Sequence, residues 1–302
     1  MNGMATVRKR KIGGREYFYL EHTMRTGRKV GKKEMYLGAV IPKDIEKIKA
    51  GFMGRIYQER WFSKIDRIKQ NFSDDFGRMP GEIREKYLEN FMIKFTYDTN
   101  RIEGGSLSLR EAASLLKDGI APSGKPIKDV KEAEAHMKVF YMMLDEKGDL
   151  DLETVLKWHR LLFEDTKPGI AGKIRDYGIG IFGSRAVMPP PAMLKPLLGG
   201  FFRWYEKNKG SLHPVELAAL VHLKFVSIHP FGDGNGRASR LMMNFVLHRH
   251  GYPMLNIAYK NRSSYYAALE RSQLKKDDWI FVVHILKRYI KEYKSYLKKQ
   301  LR

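Results

Sequence analysis

The chain has 302 residues, which predicts about two domains, and 43% of them are hydrophobic, so it can bury a sizeable core and is not a disordered chain. Lys and Arg number 56 against 34 Asp and Glu, a net charge of +22 that favours an anionic partner without choosing among nucleotide, nucleic acid, acidic protein and membrane surface. The absence of cysteine excludes disulfide scaffolds and thiolate chemistry, and no apolar run reaches the length of a membrane span or a secretory signal, so we expect a cytoplasmic protein without membrane association.

Residues 1–41 are predicted to form a small basic β-meander. Three strand-like runs, at 6–12, 15–22 and 28–37, are separated by Gly13-Gly14 and by residues 25–27, which are hairpin signals. Pro42 then opens a helical pattern that runs to about Asn71, and residues 73–81 have the Ser, Asp, Gly and Pro of a loop. Residues 42–81 are therefore assigned to a helix and a linker.

Residues 82–302 are predicted to form a mainly α-helical domain. A capping box, Ser108 with Glu111, begins a helix at 112–116. Apolar stripes at helical spacing predict further helices at 83–99, 129–144, 152–163, 193–207, 215–226, 238–248, 263–273 and 279–301. The segment 177–191 is rich in Gly and Pro, cannot be helical, and predicts a β-hairpin or flap.

Residues 229–240 contain the pattern of an anion site. Gly232, Gly234 and Gly236 let the backbone approach a ligand closely and present N–H groups. A helix begins after them, and its N-terminus adds unpaired N–H groups and positive potential. Arg237 and Arg240 are three residues apart, so they lie on one helix face and can both reach phosphate oxygens.

Two further residues of this segment point to phosphate-group transfer. Asp233 supplies a hard carboxylate of the kind that holds Mg²⁺ beside a polyphosphate, and His229 can be neutral near pH 7 and accept a proton. A cradle, a metal ligand, two cations and a base are the parts that such chemistry needs. The alternative that the residues leave open is a Gly-rich helix junction whose arginines form salt bridges.

The segment from His229 to Arg240 resembles the motif of the Fic family, H-x-F-x-[D/E]-G-N-[G/K]-R-x-x-R, at every fixed position. The resemblance extends over about residues 82–275, and it implies a helical bundle with a β-hairpin flap at about 177–191. Most characterised members transfer AMP from ATP to a protein hydroxyl and release pyrophosphate. The resemblance therefore implies a protein adenylyltransferase that uses ATP and Mg²⁺ and modifies a protein of unknown identity, which could be the chain itself.

The resemblance also implies a role for each residue of the loop. His229 would take the proton from the Ser, Thr or Tyr hydroxyl that attacks the α-phosphorus, while Asp233 would hold Mg²⁺. Asn235, with neighbouring backbone N–H groups, would stabilise charge on the α-phosphate. Arg237 would contact the β-phosphate and Arg240 the γ-phosphate. The nucleotide-binding set is Gly232, Asp233, Gly234, Asn235, Gly236, Arg237 and Arg240.

Residues 99–104 resemble the inhibitory motif of the same family, [S/T]-x-x-x-E-[G/N], with Thr99, Glu103 and Gly104 at its fixed positions. The resemblance makes residues 83–103 an inhibitory helix, in which Glu103 would pair with Arg240 and occupy the place of the γ-phosphate. ATP could then bind only in an unproductive pose. From this string alone, a helix C-terminus with Gly104-Gly105 as cap and an exposed Glu103 is the favoured explanation. The same glutamate could also position a water that removes AMP, so the sequence does not separate the two directions of reaction.

The resemblance implies that the flap would bind the target segment as an added strand, with Ile179, Ile181, Gly183 and Ser184 as docking residues. Residues 183–185 are the predicted tip. The chain has Ala-Val-Met at 186–188 where the family often has His before the proline run, so a His-dependent target contact is not expected. A loop packed on its own domain is the alternative.

The N-terminal meander keeps a second class of function open. Residues 1–50 hold 13 Lys or Arg and 5 Asp or Glu, with Tyr17, Phe18, Tyr19 and Tyr36 among them. A basic ribbon with aromatics can bind nucleic acid, although a small sheet packed on the helical body with solvated lysines is the interpretation that we prefer at this stage. A nucleic-acid-binding regulator with a vestigial Fic core is therefore the second alternative function, after a Fic-type enzyme that removes AMP or transfers another nucleotidyl or phosphoryl group, and the intact motif disfavours it.

Overall fold

The structure is a computed structural model that describes residues 5–26, 29–181 and 183–298. Its contacts divide the chain into two compact units, residues 1–68 with 286–302, and residues 69–285. The domain boundaries predicted after residues 41 and 81 stay predictions. Residues 1–4, 27–28, 182 and 299–302, which fall within the predicted meander, flap and helical domain, lie outside the described residues.

The first unit contains the predicted three-stranded meander. Strands β1 (Thr6–Ile12), β2 (Arg15–Thr26) and β3 (Lys29–Gly38) are antiparallel in the order β1-β2-β3. Gly13 and Gly14 both have positive φ, +57° and +82°, which is the requirement of a two-residue turn between twisted strands. The second predicted turn includes Gly27, which is not among the described residues.

The predicted loop at 73–81 is mostly helical. Helix α1 (Ile45–Tyr57) continues through a π-helical stretch (Gln58–Phe62) into α2 (Ser63–Arg78), and α3 (Gly81–Ile102) begins after two more residues. The reason is aromatic packing. Phe72 and Phe76 lie one helical turn apart, stack with ring centroids 5.4 Å apart, and both contact the ring of Tyr87 at 5.7 Å.

The remaining helices confirm the mainly α prediction, with their ends displaced by a few residues. They are α4 (Leu109–Asp118), α5 (Ile127–Asp145), α6 (Leu152–Phe163), α7 (Pro191–Asn208), α8 (Pro214–Ile228), α9 (Asn235–Arg249), α10 (Arg262–Lys275), α11 (Asp278–Glu292) and α12 (Lys294–Lys298). The single helix predicted at 279–301 is broken at Tyr293, and its end lies outside the described residues. In the described ranges, no helix combines the length and apolar character needed to cross a bilayer.

Helices α8 and α9 form the centre of the second unit, and the loop between them holds the motif. In α9 the side chains of Leu241, Met242, Met243 and Val246 are fully buried. Phe231 in the connecting loop is also fully buried. Each buried apolar side chain of this size contributes about 1.5–3 kcal/mol, so the core fixes both ends of the loop.

The flap segment carries no β-ladder in its described residues, so the predicted hairpin is not formed as a paired sheet. Its predicted tip is a turn, in which the N–H of Ser184 donates to the carbonyl of Ile181 at 3.0 Å and Gly183 has φ +75°. Backbone carbonyls of both arms are instead bound by the side chain of Arg175.

Candidate active site

The catalytic-motif loop has a closed, locally determined geometry. His229 ends α8 with a left-handed backbone (φ 52°, ψ 56°), and Gly234, with φ +79°, precedes α9. The side chain of buried Asn235 spans the loop: Oδ1 accepts from the N–H of Phe231 at 2.9 Å, and Nδ2 donates to its carbonyl at 2.8 Å. The amide thus holds the loop, and its second Nδ2 hydrogen is not used by these two hydrogen bonds.

The loop glycines stand where side chains do not fit. A Cβ at Gly234 would lie 2.3 Å from the ring of Phe163, which is fully buried and cannot move aside. A Cβ at Gly232 would meet the hydroxyl of Tyr177, a side chain that is half exposed. Position 234 therefore requires glycine for two reasons: its φ is positive, and a side chain there would collide with Phe163.

His159 of α6 packs against the catalytic-motif loop and forms a hydrogen bond with it. Its Nδ1 accepts from the N–H of Gly172 at 3.0 Å, so Nε2 carries the proton and donates to the carbonyl of Asp233 at 2.9 Å. The ring stacks on Phe231 with centroids 3.7 Å apart. Burial lowers the pKa of His159 to about 4, so the ring stays neutral and its two hydrogen bonds persist at neutral pH.

His229 is arranged as a base. Its Nδ1 lies 3.2 Å from the carbonyl of Val226, which assigns the ring proton to Nδ1 and leaves the lone pair on Nε2. Burial lowers the pKa of His229 below its ordinary value, although the Val226 carbonyl acts in the other direction. The imidazole is therefore neutral near pH 7. It lines a cavity of about 460 Å³ together with Glu103, Gly236 and Arg240.

Asp233 fits a magnesium ligand. Its carboxylate is 37% exposed, accepts from the N–H of Gly234 at 2.5 Å, and pairs with Lys167 and, at 3.4 Å, with Arg237. Burial raises the pKa of this carboxyl, but Arg237 and Lys167 outweigh burial and hold it below its ordinary value. Mg²⁺ commonly binds through one or two carboxylates together with substrate phosphates, and the carboxylate of Asp233 can serve as one of these ligands.

Arg237 is buried, and part of its guanidinium already has partners within the protein. Its guanidinium is 3% exposed, forms an ion pair with Glu132 of α5, and lies 4.3 Å above the ring of Phe163. Among the described residues, its Nε atom has no hydrogen-bond partner. A buried donor without a partner is costly, so this N–H is suited to a ligand oxygen.

Glu103 and Arg240 form the predicted ion pair. Arg240 Nη2 donates to Glu103 Oε1 at 2.6 Å, and Nε donates to the hydroxyl of Thr99 at 3.2 Å. Nη1 lies 3.3 Å from the hydroxyl of Tyr265. Burial lowers the pKa of Arg240, yet the charge of Glu103 more than compensates, and this 1% exposed guanidinium stays charged.

The Glu103 carboxylate lies against the first turn of α9. A Cβ at Gly236 would stand 2.3 Å from Glu103 Oε1. The end of α3 places it there: Gly104 leaves the helix with φ +94°, and the N–H of Gly105 donates to the carbonyl of Asn100 at 2.8 Å. Residue Glu103 is exposed, as the alternative interpretation has it, but its side chain is only 24% exposed because the carboxylate pairs with Arg240. It occupies a helix N-terminus, where anions bind.

Arg175 connects the flap to the loop, and the sequence did not single it out. Arg175 is only 4% exposed, and its guanidinium donates to three backbone carbonyls. Nε donates to the carbonyl of His229 at 2.9 Å. Nη1 donates to the carbonyl of Tyr177 at 2.6 Å, and Nη2 to the carbonyl of Pro189 at 2.7 Å. Its backbone N–H donates to the carbonyl of Pro230 at 2.9 Å. One guanidinium therefore binds backbone carbonyls of both arms of the flap and of the candidate base.

Three of the four predicted docking residues face the cavity. Ile181, Gly183 and Ser184 line it, whereas Ile179 is half-buried outside that lining. Next to the tip, the N–H of Arg185 donates to the carboxylate of Glu270 on α10 at 2.8 Å.

Comparisons with known proteins show a similarity that includes the catalytic-motif loop. The sequence profile of the Fic/DOC family matches residues 149–247. Proteins named protein adenylyltransferase Fic from Nematostella vectensis and Drosophila melanogaster are 32% and 38% identical over 222 and 219 residues, which are 71% and 70% of this chain. The aligned parts make up 50% and 43% of those relatives, so the chain spans about half of their length or less.

Solved structures of the family have the same fold. A Fic domain containing signaling protein from Bacteroides thetaiotaomicron superposes with a TM-score of 0.70 at 28% identity. The superposition covers 77% of this chain and 96% of that protein's chain. A Fic-1 fragment from C. elegans gives a TM-score of 0.67 at 25% identity, covering 84% and 76%. The profile match, the relatives and the shared fold together establish that this chain carries a domain of the Fic/DOC family.

Proposed function

We propose that this chain is an autoinhibited protein adenylyltransferase, which transfers AMP from ATP to a Ser, Thr or Tyr hydroxyl of a protein and releases pyrophosphate. The observation that carries the proposal is the Glu103–Arg240 ion pair at the N-terminus of α9, beside a neutral His229 in one cavity. The names of the relatives support the same activity. A cytoplasmic location, where ATP is abundant, is part of the proposal.

The loop residues would act on the reacting atoms as follows. His229 Nε2 accepts the proton of the target hydroxyl as its oxygen forms a bond to the α-phosphorus, and the bond from that phosphorus to the β-phosphate bridging oxygen breaks. The N–H groups of the first turn of α9 and the Asn235 amide meet the charge on the α-phosphate. Arg237 would bind the β-phosphate through its unpaired Nε.

Asp233 would hold Mg²⁺, which supplies charge neutralisation to the phosphates when it is bound. Lys167 now pairs with this carboxylate and also lies 3.3 Å from Glu132. Its ammonium group would therefore leave Asp233 and remain with Glu132 when the ion binds.

Glu103 would act as the inhibitor through charge and position. Its carboxylate neutralises Arg240, the cation that would hold the γ-phosphate, and occupies the N-terminal turn of α9 where phosphate oxygens would lie. A triphosphate in the productive pose would bring like charges together in a partly buried site. ATP would then bind with its α-phosphorus out of line with the target hydroxyl.

One experiment separates this chemistry from phosphorylation. Glu103→Gly protein is incubated with Mg²⁺ and ATP labelled on either the α- or the γ-phosphate, and label retained on the protein is counted. Adenylyl transfer predicts retained α-label and no γ-label, with pyrophosphate released. The double variant Glu103→Gly/His229→Ala should retain neither, whereas a control that changes His250 at the far end of α9, Glu103→Gly/His250→Ala, should label normally. Retained γ-label would contradict the proposal.

Removal of AMP is a second candidate function, favoured by one observation. Glu103 and His229 line the same cavity, so a carboxylate and an imidazole face the space in which a water would attack an adenylylated hydroxyl. Protein labelled in the Glu103→Gly background and then mixed with wild type would lose its label only if this reaction occurs.

A further inference from the structure

We propose that the open face of the N-terminal sheet binds single-stranded nucleic acid. The proposal concerns the first unit alone and does not depend on the transferase activity. Strand register decides which residues share this face, and the amino-acid composition of the segment does not reveal it.

The two faces of the sheet differ in what covers them. Leu20 pairs with Val7 and Met35, and this face is the buried one: Leu20 is fully buried, His22 is 2% exposed, and Met35 contacts Arg55 of α1. The residues on the opposite face alternate with these along each strand. They are Arg8 and Arg10 of β1, Tyr17, Tyr19 and Glu21 of β2, and Lys32, Glu34 and Tyr36 of β3.

Three tyrosines form one cluster on the open face. The ring centroid of Tyr36 lies 5.3 Å from that of Tyr19 and 6.0 Å from that of Tyr17. Tyr36 is 55% exposed, and the guanidinium of Arg10 lies 4.7 Å from the Tyr19 ring centroid. An exposed aromatic ring beside cations on a sheet surface is the arrangement on which unpaired bases stack.

One of the two acidic residues of this face, Glu21, lies beneath the cations. Glu21 has only 11% of its side chain exposed and pairs with Arg8, Arg10 and Lys32. Arg8 and Lys32 are 66% and 57% exposed, against 34% for the side chain of Glu34, which pairs with Arg10, so the most exposed charges are positive. A solvated surface would not require this layering, whereas a polyanion would meet the cations first.

Charge and stacking together favour an unpaired strand over the other anionic partners. Residues 1–50 carry 13 Lys or Arg against 5 Asp or Glu, which attracts any polyanion. Only a polyanion with exposed aromatic bases would also use the Tyr36 ring. An anionic lipid surface would use the charges alone.

The test measures binding of fluorescently labelled oligo-dT and oligo-rU to the full chain by anisotropy across a salt series. We expect both to bind, with log affinity falling linearly against log salt, and a duplex of matched charge to bind more weakly. Tyr36→Ala should weaken single-strand binding at least about fivefold, and Tyr36→Phe, which keeps the ring, should bind like wild type.

A charge variant provides an independent measurement. Arg8→Gln with Lys32→Gln should reduce the salt slope by about 1.4, the value for two phosphate contacts on a single strand. Lys128→Gln with Lys131→Gln removes the same charge from exposed positions on α5 and should leave the slope unchanged. No binding by wild type at low salt, equal affinity in Tyr36→Ala and wild type, or equal binding to vesicles containing phosphatidylserine would overturn the proposal.

Discussion

Arg175 is the residue through which the flap and the candidate base are connected. A lysine at this position keeps the charge but cannot bind three separated carbonyls at once, and each lost hydrogen bond costs about 1 kcal/mol. In the Glu103→Gly background, Arg175→Lys should therefore lower the rate of self-modification at saturating ATP by about tenfold to a hundredfold.

The affinity for ATP should change little in that variant, because Arg175 acts by positioning His229 and the flap. Arg110→Lys, an exposed position on α4, is the matched control. An unchanged rate, or a loss confined to ATP affinity, would remove the positioning role from Arg175.

The titration of His229 should set the acid limb of the rate profile. Burial and Arg175 lower its pKa, and the carboxylate of Glu103, which raises it, is absent from Glu103→Gly. The rate of that variant, measured as kcat/KM for ATP, should be constant near pH 7 and fall only at pH below about 6.5, as the imidazole becomes protonated. A midpoint above pH 7 would mean that His229 is not the base.

The site residues that could be predicted from the sequence are those in contiguous motifs. His229, Asp233, Arg237 and Arg240 share one loop and helix turn, where residue type and spacing already define an anion site. Glu132, Lys167 and Arg175 could not be predicted in this way. Each is a single charged residue far along the chain from its partner, and only the packing of α5 and the loops brings it to the site.

At the level of elements, helix α3, to which we assign the inhibitory role, is held at its C-terminal end. The hydroxyl of Tyr266 on α10 donates to the carbonyl of Ile102 at 3.1 Å. One turn earlier, Asp98 accepts from the N–H of Tyr259 and from Nδ2 of Asn256, each at 2.6 Å. These contacts hold the end of α3 where Glu103 pairs with Arg240, so the proposed inhibition would depend on the anchoring of a helix end as well as on one ion pair.

Loss of one anchor should release part of the inhibition. Tyr266→Phe removes the bond to Ile102, worth about 1 kcal/mol, and self-modification by ATP should rise about fivefold, well below the level of Glu103→Gly. Incorporated adenylate is measured by intact mass, with Tyr97→Phe on α3 as the control. A rate equal to wild type would show that the hydrogen bond does not hold the helix.

The secondary structure was predictable where local and tertiary preferences agree. Periodic apolar stripes located the long helices, and Gly13-Gly14 located the first hairpin. The loop prediction at 73–81 was wrong because Phe76 packs on Phe72 and Tyr87, a contact that outweighs the local Ser, Asp and Gly. The flap could not be predicted in detail, because its carbonyls are bound by the Arg175 side chain instead of a partner strand.

For the whole molecule, one buried carboxyl predicts a dependence of stability on pH. Glu216 in the first turn of α8 is 8% exposed, and burial raises its pKa to about 7. The unfolded chain ionises this group near pH 4.5 while the folded chain keeps its proton, so the contribution of Glu216 to the free energy of unfolding declines as the pH rises from about 4.5 to 7. Burial alone would lower the free energy of unfolding by about 3 kcal/mol over this pH range. The position of the carboxylate at a helix N-terminus is favourable and makes this decrease smaller.

Glu216→Gln should remove this dependence. The free energy of unfolding, measured by urea titration, is compared between Glu216→Gln and wild type at each pH. The difference, variant minus wild type, should be larger at pH 8 than at pH 5. Glu206→Gln, which changes a carboxylate that is 66% exposed, should show no such difference. A Glu216→Gln variant that differs from wild type equally at both pH values would contradict the raised pKa.

The central claim, that Glu103 blocks a competent transferase, is tested most directly by intact mass after incubation with ATP and Mg²⁺. Wild type and Glu85→Gln, an exposed acid on the same helix, should stay near their starting mass. Glu103→Gly should gain the mass of one or more adenylyl groups. If wild type and Glu103→Gly gain adenylate equally, or if neither does while ATP still binds, the account of the site is contradicted.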